Sequence, residues 1–275
     1  MQMIQLVLLV VMNCNVVEAQ CQLAITQLSN WFSANRLILN VNKTNFVVFN
    51  RRSLDLTDRL VIDGSSMVEA AEVKVLGLFI DSALKYETHI LGLSKKLGSA
   101  CYSLRCLRDL VSERILKQVY YGYFHSKMNY AIQFWGNATM SDTIFKVQKR
   151  CLRTIFGLAP TVSCRNYFRD SGIMTMISCY IYKALLNVHK NKTAISSSKK
   201  NVTSYCLRND LLRPNFPSSA RYMNSVFYKG ITLYNVLPNM LKVLSNNKFK
   251  ASIKKILTRN VFYSVSEYVD FFGNE

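Results

Sequence analysis

Apolar residues recur at Cys21, Ile25, Leu28 and Phe32, with Ala24 and Trp31 beside them. That spacing predicts an amphipathic helix over Glu18–Asn35 with one buried stripe. Arg36 to Asn42 turns the chain, and Thr44–Phe49 reads as a strand. Arg59–Asp63 and Met67–Ala70 flank Gly64-Ser65, a hairpin signal. Val73–Ile80 reads as a further strand with Gly77 inside it, where a glycine marks a bulge or a close backbone approach. From there helices are predicted at Tyr86–Leu110, Ser112–Phe134, Ser141–Phe156 and Met174–Lys190. Ser112 and Ser141 are expected N-caps, each followed by an acid that suits the positive helix start. Gly157 is the expected stop before Pro160. Lys190–Asn201 is polar, with Ser and Lys tracts, and reads as a linker or mobile loop. Beyond Pro214 and Pro217 come a helix around Asn224–Val236 and a last basic helix over Asn246–Thr258. No internal repeat is visible. The expected class is α+β: a small sheet with one amphipathic helix, then a predominantly helical body.

The 275 residues are 50% hydrophobic, which excludes a disordered chain. Charge then divides the molecule. Residues 1–90 hold 7 basic and 8 acidic side chains, residues 91–200 hold 18 and 4, and residues 201–275 hold 10 and 4. The body of a chain with formal net charge +19 calls for a polyanionic partner, nucleic acid or an anionic membrane surface. The apolar stretch Ile4–Met12 is too short to span a bilayer, so no transmembrane segment is expected. It reads as a buried strand or as the apolar part of a signal peptide cleaved after Ala19. The second reading finds Asn-x-Thr sequons at Asn42, Asn137, Asn191 and Asn201, but no Lys or Arg precedes the run. Eight cysteines include no Cys-x-x-Cys pair, and the three histidines, at 89, 125 and 189, stand at no zinc-ligand spacing from them. Cys101, Cys151 and Cys179 fall inside apolar helical patterns and read as reduced core thiols. No metal site is expected within this chain.

Lys95, Lys96, Arg105, Arg108, Lys149, Arg150 and Arg153 lie on successive predicted helices. Arg105 and Arg108 are three apart, as are Arg150 and Arg153, so each pair should share a helix face. Tyr120, Tyr121, Tyr123, Phe124 and Tyr130 crowd the helix between and read as core rather than as stacking platforms.

Several segments, taken in order, carry a family likeness. Leu28–Phe32 and Asn35–Phe49, with Lys43-Thr44 inside, come first; Val75–Asp81 and His89 follow. Tyr130–Gly136, Gln148–Arg153, Tyr228–Gly230, Tyr234–Pro238 and Phe249-Lys250 complete the series. Over roughly residues 20–270 the chain resembles the region after the catalytic hairpin of reverse transcriptases (RNA-directed DNA polymerases) of non-LTR retrotransposons, particularly jockey-like elements. Val75 stands where family members often carry an aromatic. The resemblance implies a partial palm at 1–85, a helical thumb-like region at 86–190, a polar linker at 191–205 and a C-terminal helical region at 206–275. It implies that Lys43 lies beside an incoming triphosphate, that Leu76 and Gly77 lie against a primer end, and that the basic helices track an RNA/DNA duplex or hybrid.

The family's chemistry uses Mg²⁺ held by acidic residues. Residues 1–54 contain one acid, Glu18, and no adjacent Asp pair occurs anywhere. The resemblance therefore implies a truncated piece of a transposable-element polymerase, inactive alone and binding nucleic acid at most. Two alternatives stay open: a domesticated binding or interaction protein made from the same fragment, and a secreted glycoprotein with a leader at 1–19. The first two imply an intracellular site, nuclear or cytoplasmic. A palm that has lost its upstream strands would also expose a sheet edge and the stripe Cys21, Ile25, Leu28 and Phe32, inviting self-association.

Overall fold

The computed structural model describes residues 14–41, 44–49, 60–62, 64–197, 212, 223 and 225–273. The chain is mostly helical, with short strands in small sheets, and it divides into two compact units, Met1–His89 and Ile90–Glu275. The N-terminal apolar stretch lies outside the described residues.

In the first unit, helix α1 (Cys14–Ala34) forms as its periodicity predicts. Its stripe is not left bare. Val17, Cys21 and Ile25 pack, with Leu39, Val41, Phe46 and Val48, on a small core of Leu60, Ile62 and Met67, and Phe32 is buried. The expected small sheet consists, among the described residues, of three two-stranded pieces. Strand β1 (Asn45–Phe46) is much shorter than the predicted Thr44–Phe49. Strand β2 (Val61–Ile62) pairs antiparallel with β3 (Ser65–Ser66), and Met67 extends the pairing by donating its N–H to Leu60 O at 2.8 Å. Strand β4 (Val68–Glu69) then leaves this hairpin and pairs parallel with β1. Gln22 binds the free backbone of β2 with both ends of its amide, donating to Val61 O at 2.9 Å and accepting from Val61 N at 3.1 Å. A side chain thus occupies an edge position that another chain would otherwise fill.

Strands β5 (Glu72–Val75) and β6 (Leu78–Asp81) correct the single predicted strand. They form an antiparallel hairpin in register Glu72↔Asp81 to Val75↔Leu78. At its end the Asp81 carboxylate accepts from the N–H groups of Ala83, Lys85 and Tyr86, at 3.0, 3.0 and 2.6 Å, and closes the loop that leads into the next helix.

Among its described residues the second unit has helices and no strand. Helix α2 (Glu87–Leu107) enters it; its buried stripe is Ile90, Leu93, Leu97, Ala100, Cys101 and Leu104. The predicted helix Ser112–Phe134 is broken into α3 (Glu113–Val119), a π-helical turn (Tyr120–His125), α4 (Ser126–Asn129) and α5 (Ile132–Trp135). Ala131 between the last two is left-handed, at φ 52°. Gly136 follows because nothing larger fits. A Cβ there would lie 2.5 Å from Ile132 O and 2.9 Å from the Tyr180 ring. Helix α6 (Ser141–Phe156) has the predicted bounds and ends at left-handed Gly157, as expected. Ser112 takes the expected N-cap position, without a side-chain hydrogen bond, whereas Ser141 lies inside the first turn, buried.

Helix α7 (Arg165–Ser171) has no counterpart in the predicted elements, and α8 (Met176–Ser197) runs into the expected linker, so 191–197 is helical. The remainder of that segment lies outside the described residues. Helix α9 (Val226–Asn235) is capped by Ser225, whose Oγ accepts from Tyr228 N at 3.2 Å. After it come α10 (Asn239–Lys242), α11 (Asn246–Arg259) and a further unpredicted helix, α12 (Val265–Gly273). Helices α5, α6, α9 and α11 all pack on α8, within the one compact unit Ile90–Glu275.

Helix α8 is buried at every residue from Met176 to Tyr182, and a buried helix start leaves backbone donors that need partners inside the protein. Gln148 of α6, fully buried, supplies them: its Oε1 accepts from Met176 N at 2.7 Å, and its Nε2 donates to Met174 O and to Tyr120 Oη, both at 2.9 Å. Thr175 adds an Oγ1 that accepts from Ser178 N at 3.0 Å and donates to Phe262 O at 2.8 Å. Replacing Gln148 with Leu keeps the volume but orphans three groups. The expected loss is about 3 kcal/mol in a urea unfolding curve, and a loss below about 1 kcal/mol would refute this role.

His189 is buried, stacked on Phe249 at 3.8 Å and 3°. Its Nε2 donates to Leu244 O at 3.0 Å, so in the neutral ring Nδ1 accepts from Tyr234 Oη, also at 3.0 Å. Burial, with Lys192 nearby, holds its pKa below the ordinary 6.5; burial also depresses His125, beside Lys183 and Lys254. Both rings stay neutral in the fold while the unfolded chain protonates. Stability is therefore full above pH 6.5 and falls as pH drops from there through the depressed folded values. The melting temperature should decline between pH 7 and pH 5, and His189→Gln should flatten that decline.

Candidate nucleic-acid interface

Leu76 and Gly77 form the whole two-residue turn between β5 and β6, with φ values of 48° and 86°. Both values are positive, as the tight hairpin turn matching strand twist requires. Gly77 meets this demand at no steric cost, and a Cβ there would find nothing within 4 Å, so the backbone angle alone asks for glycine. Leu76 bears strain, since a left-handed conformation costs a side-chain-bearing residue about 1–2 kcal/mol. Its side chain is 74% exposed. The sequence hid this turn because leucine is a rare first turn residue. Lys43 lies outside the described residues.

Helix α2 carries the freest predicted bases. Lys95, Lys96, Arg105 and Arg108 are all exposed. Helical spacing sets Lys95, Gly98, Tyr102 and Arg105 along one side, with Lys96 turned away from it. Tyr102 is 67% exposed between the two bases. Arg150 reaches this side from α6, its guanidinium lying 3.7 Å from where a Cβ on Gly98 would be. It also lies beside the buried thiols of Cys101 and Cys151, whose shared hydrogen bond draws Cys101 down to about 6 and raises Cys151. All six described cysteines are free thiols.

Arg108 does not join Arg105. The helix ends at Leu107, and the Arg108 guanidinium lies over Gly157, where a Cβ would meet it at 2.9 Å. The expected Arg150–Arg153 pair also separates. Arg153 turns to the 159–164 loop and donates twice to Val162 O, at 3.3 and 3.0 Å. Lys149 sits over the rings of Phe145 and Tyr263, at 4.7 and 5.5 Å. Arg165 also stacks on Tyr263, at 4.4 Å, and pairs with Glu267 at 2.9 Å. Glu267 in turn accepts from Tyr263 N at 2.9 Å, and its carboxyl is held below the usual range, burial being outweighed by these bonds. Lys149 and Arg165 thus tie the C-terminal segment to α6 and α7 and Arg153 holds the 159–164 loop, so of the predicted bases those on the α2 side, with Arg150, are left open.

The aromatic expectation divides too. Tyr120 and Phe124 are core, stacked at 5.2 Å. Tyr121, Tyr123 and Tyr130 are 43%, 40% and 49% exposed. The extra residue of a π turn rotates the next side chains around the helix, which a period of 3.6 does not foresee. Lys127 lies 3.7 Å over the Tyr123 ring.

Among the described residues no three His, Cys, Asp or Glu side chains group as a metal site needs, so these residues do not fit the magnesium pair that the resemblance implies. Among the same residues no helix is long and apolar enough to cross a membrane.

Arg153→Ala should cost about 0.5–1.5 kcal/mol by loss of its bonds to Val162, while Lys95→Ala should stay within about 0.5 kcal/mol of wild type. Thermal melts of the two variants check this, and equal effects would reject the division of bases into fastening and free.

Compared with known protein families, with characterised proteins and with solved structures, the chain matches none.

Proposed function

We propose that the chain is the C-terminal part of a reverse transcriptase of the jockey-like kind, which holds nucleic acid by its phosphates and adds no nucleotides alone. The observation that carries the binding role is the exposed side of α2 at Lys95, Tyr102 and Arg105, joined by Arg150, with no acid between residues 88 and 108. This side belongs to a unit with 28 Lys and Arg against 8 Asp and Glu. Phosphate contacts of this kind give shape-based, salt-sensitive binding without base readout. The palm and thumb reading draws support from chain order. A tight hairpin with an exposed leucine at its tip leads through the Asp81 loop into the first helix of a basic helical unit. A strained, exposed residue at a hairpin tip is suited to contact a partner. No adjacent Asp pair occurs in the sequence, which supports the reading that this chain alone adds no nucleotides.

Purified chain should give no primer extension with Mg²⁺ or Mn²⁺. It should bind an RNA/DNA hybrid with little sequence preference, log K falling against log salt with a slope of about −4 to −5. Lys95→Ala with Arg105→Ala should flatten that slope by about 2. Extension that a substitution in this chain abolishes, or binding indifferent to salt, would overturn the proposal.

A further inference from the structure

Helix α11 buries Phe249, Ile253 and Leu257 on one side and leaves Lys248, Lys250, Lys254, Lys255 and Arg259 exposed. Its fourteen residues include no acid. Between α11 and α7 opens a cleft of about 580 Å³ lined by Arg169, Lys254, Lys255 and Arg259, with Gly172 and Thr258 among them and no acidic side chain. None of the four bases takes part in an ion pair among the described residues. Lys183 of α8 adds to the same field, because it and Lys254 both act on the buried ring of His125. Tyr121, partly exposed, reaches the end of α7 with its hydroxyl 3.5 Å from Gly172 O.

Such a concentration is costly. Lys255 and Arg259 are one helical turn apart, a like-charge spacing that destabilises a helix by about 0.2–0.5 kcal/mol. A counter-charge from outside the chain relieves it. The bases of α11 that line the cleft, Lys254 to Arg259, span about 8 Å at the helical rise of 1.5 Å per residue, with Arg169 of α7 beside them. One phosphate is too small for that length, whereas a strand carrying one charge per 3.4 Å places several phosphates along it. A lipid surface fits less well, because interfacial helices bury an outward apolar face, and α11 has no exposed large hydrophobic residue.

We propose that the α7–α11 cleft binds the phosphate backbone of a nucleic-acid strand, a second anion site sharing no lining residue with the α2 side. It rests on the nucleic-acid-binding role proposed above and adds a place that role did not include.

The test uses the full chain and a fluorescein-labelled RNA/DNA hybrid, read by anisotropy, with lysine acetylation followed by mass spectrometry. Lys254→Glu with Lys255→Glu should weaken binding about tenfold or more and flatten the salt slope by about 2. The neutral pair Lys254→Gln and Lys255→Gln should show a smaller loss in the same direction. Both positions are exposed, and unchanged melting curves confirm the fold. The hybrid should protect Lys254 and Lys255 from acetylation. Binding within about twofold of wild type, with neither lysine protected, would overturn the cleft and leave the α2 reading standing. No binding by the wild-type chain would overturn both. Protection by anionic phosphatidylserine vesicles but not by the hybrid would assign the cleft to lipid and overturn the proposal.

Discussion

The buried start of helix α8 is the constraint around which the second unit is built. Water cannot reach Met176 N or Met174 O there, so a side chain must satisfy them, and an amide is suited because it donates and accepts at once. Gln148 fills that role from α6 and reaches Tyr120 in the same gesture. Thr175 closes the other side toward Phe262. Four separate stretches of sequence meet at this point. Its polar bonds also fix the rotation of α6 about its own axis, since Gln148 must face inward.

That rotation decides which positive charges are available to a ligand. With Gln148 inside, Lys149 and Arg153 flank the core edge, and both are taken up by the 159–164 loop and by Tyr263. Arg150, on the other flank, reaches α2 instead. Bases also stay outside on two helices held mainly by an apolar stripe: α2, through Leu93, Leu97 and Leu104, and α11, through Phe249, Ile253 and Leu257. An apolar stripe fixes a helix without drawing on its charges.

This accounts for what the sequence made legible. Apolar periodicity placed α1, α2, α6 and α11 within a few residues, because each buries a single stripe. It failed where the backbone departs from regular geometry. The π turn at Tyr120–His125 moved Tyr121 and Tyr123 outward, and left-handed Ala131 broke a helix that its residues could have continued. The Leu76-Gly77 turn reads through as strand because its flanks, Val75 and Leu78, are themselves strand residues. Helices α7 and α12 are short, and packing rather than a long stripe holds them: Phe168 in α7, and Tyr268 and Phe272 in α12, are buried. The candidate bases were legible in composition but not in arrangement. Charge counts found the basic body, and only side-chain geometry separated the bases that fasten the fold from those that face outward.

The remaining excess of charge bears on the stability of the fold. Twenty-eight bases and eight acids in one unit repel one another in the compact state more than in an expanded chain, and salt screens part of that cost. The core opposes it with buried aromatics, among them Trp135, Tyr120, Phe124, Phe168 and Tyr268. These press α5, α6, α7 and α12 into the interior and leave charge concentrated on the outermost helices. A polyanion bound there adds favourable free energy to the folded state alone, because only the folded state holds the bases of α2 or α11 in rows. The arrangement that makes the free unit electrostatically uneasy is therefore the one that the proposed phosphate backbone would relieve.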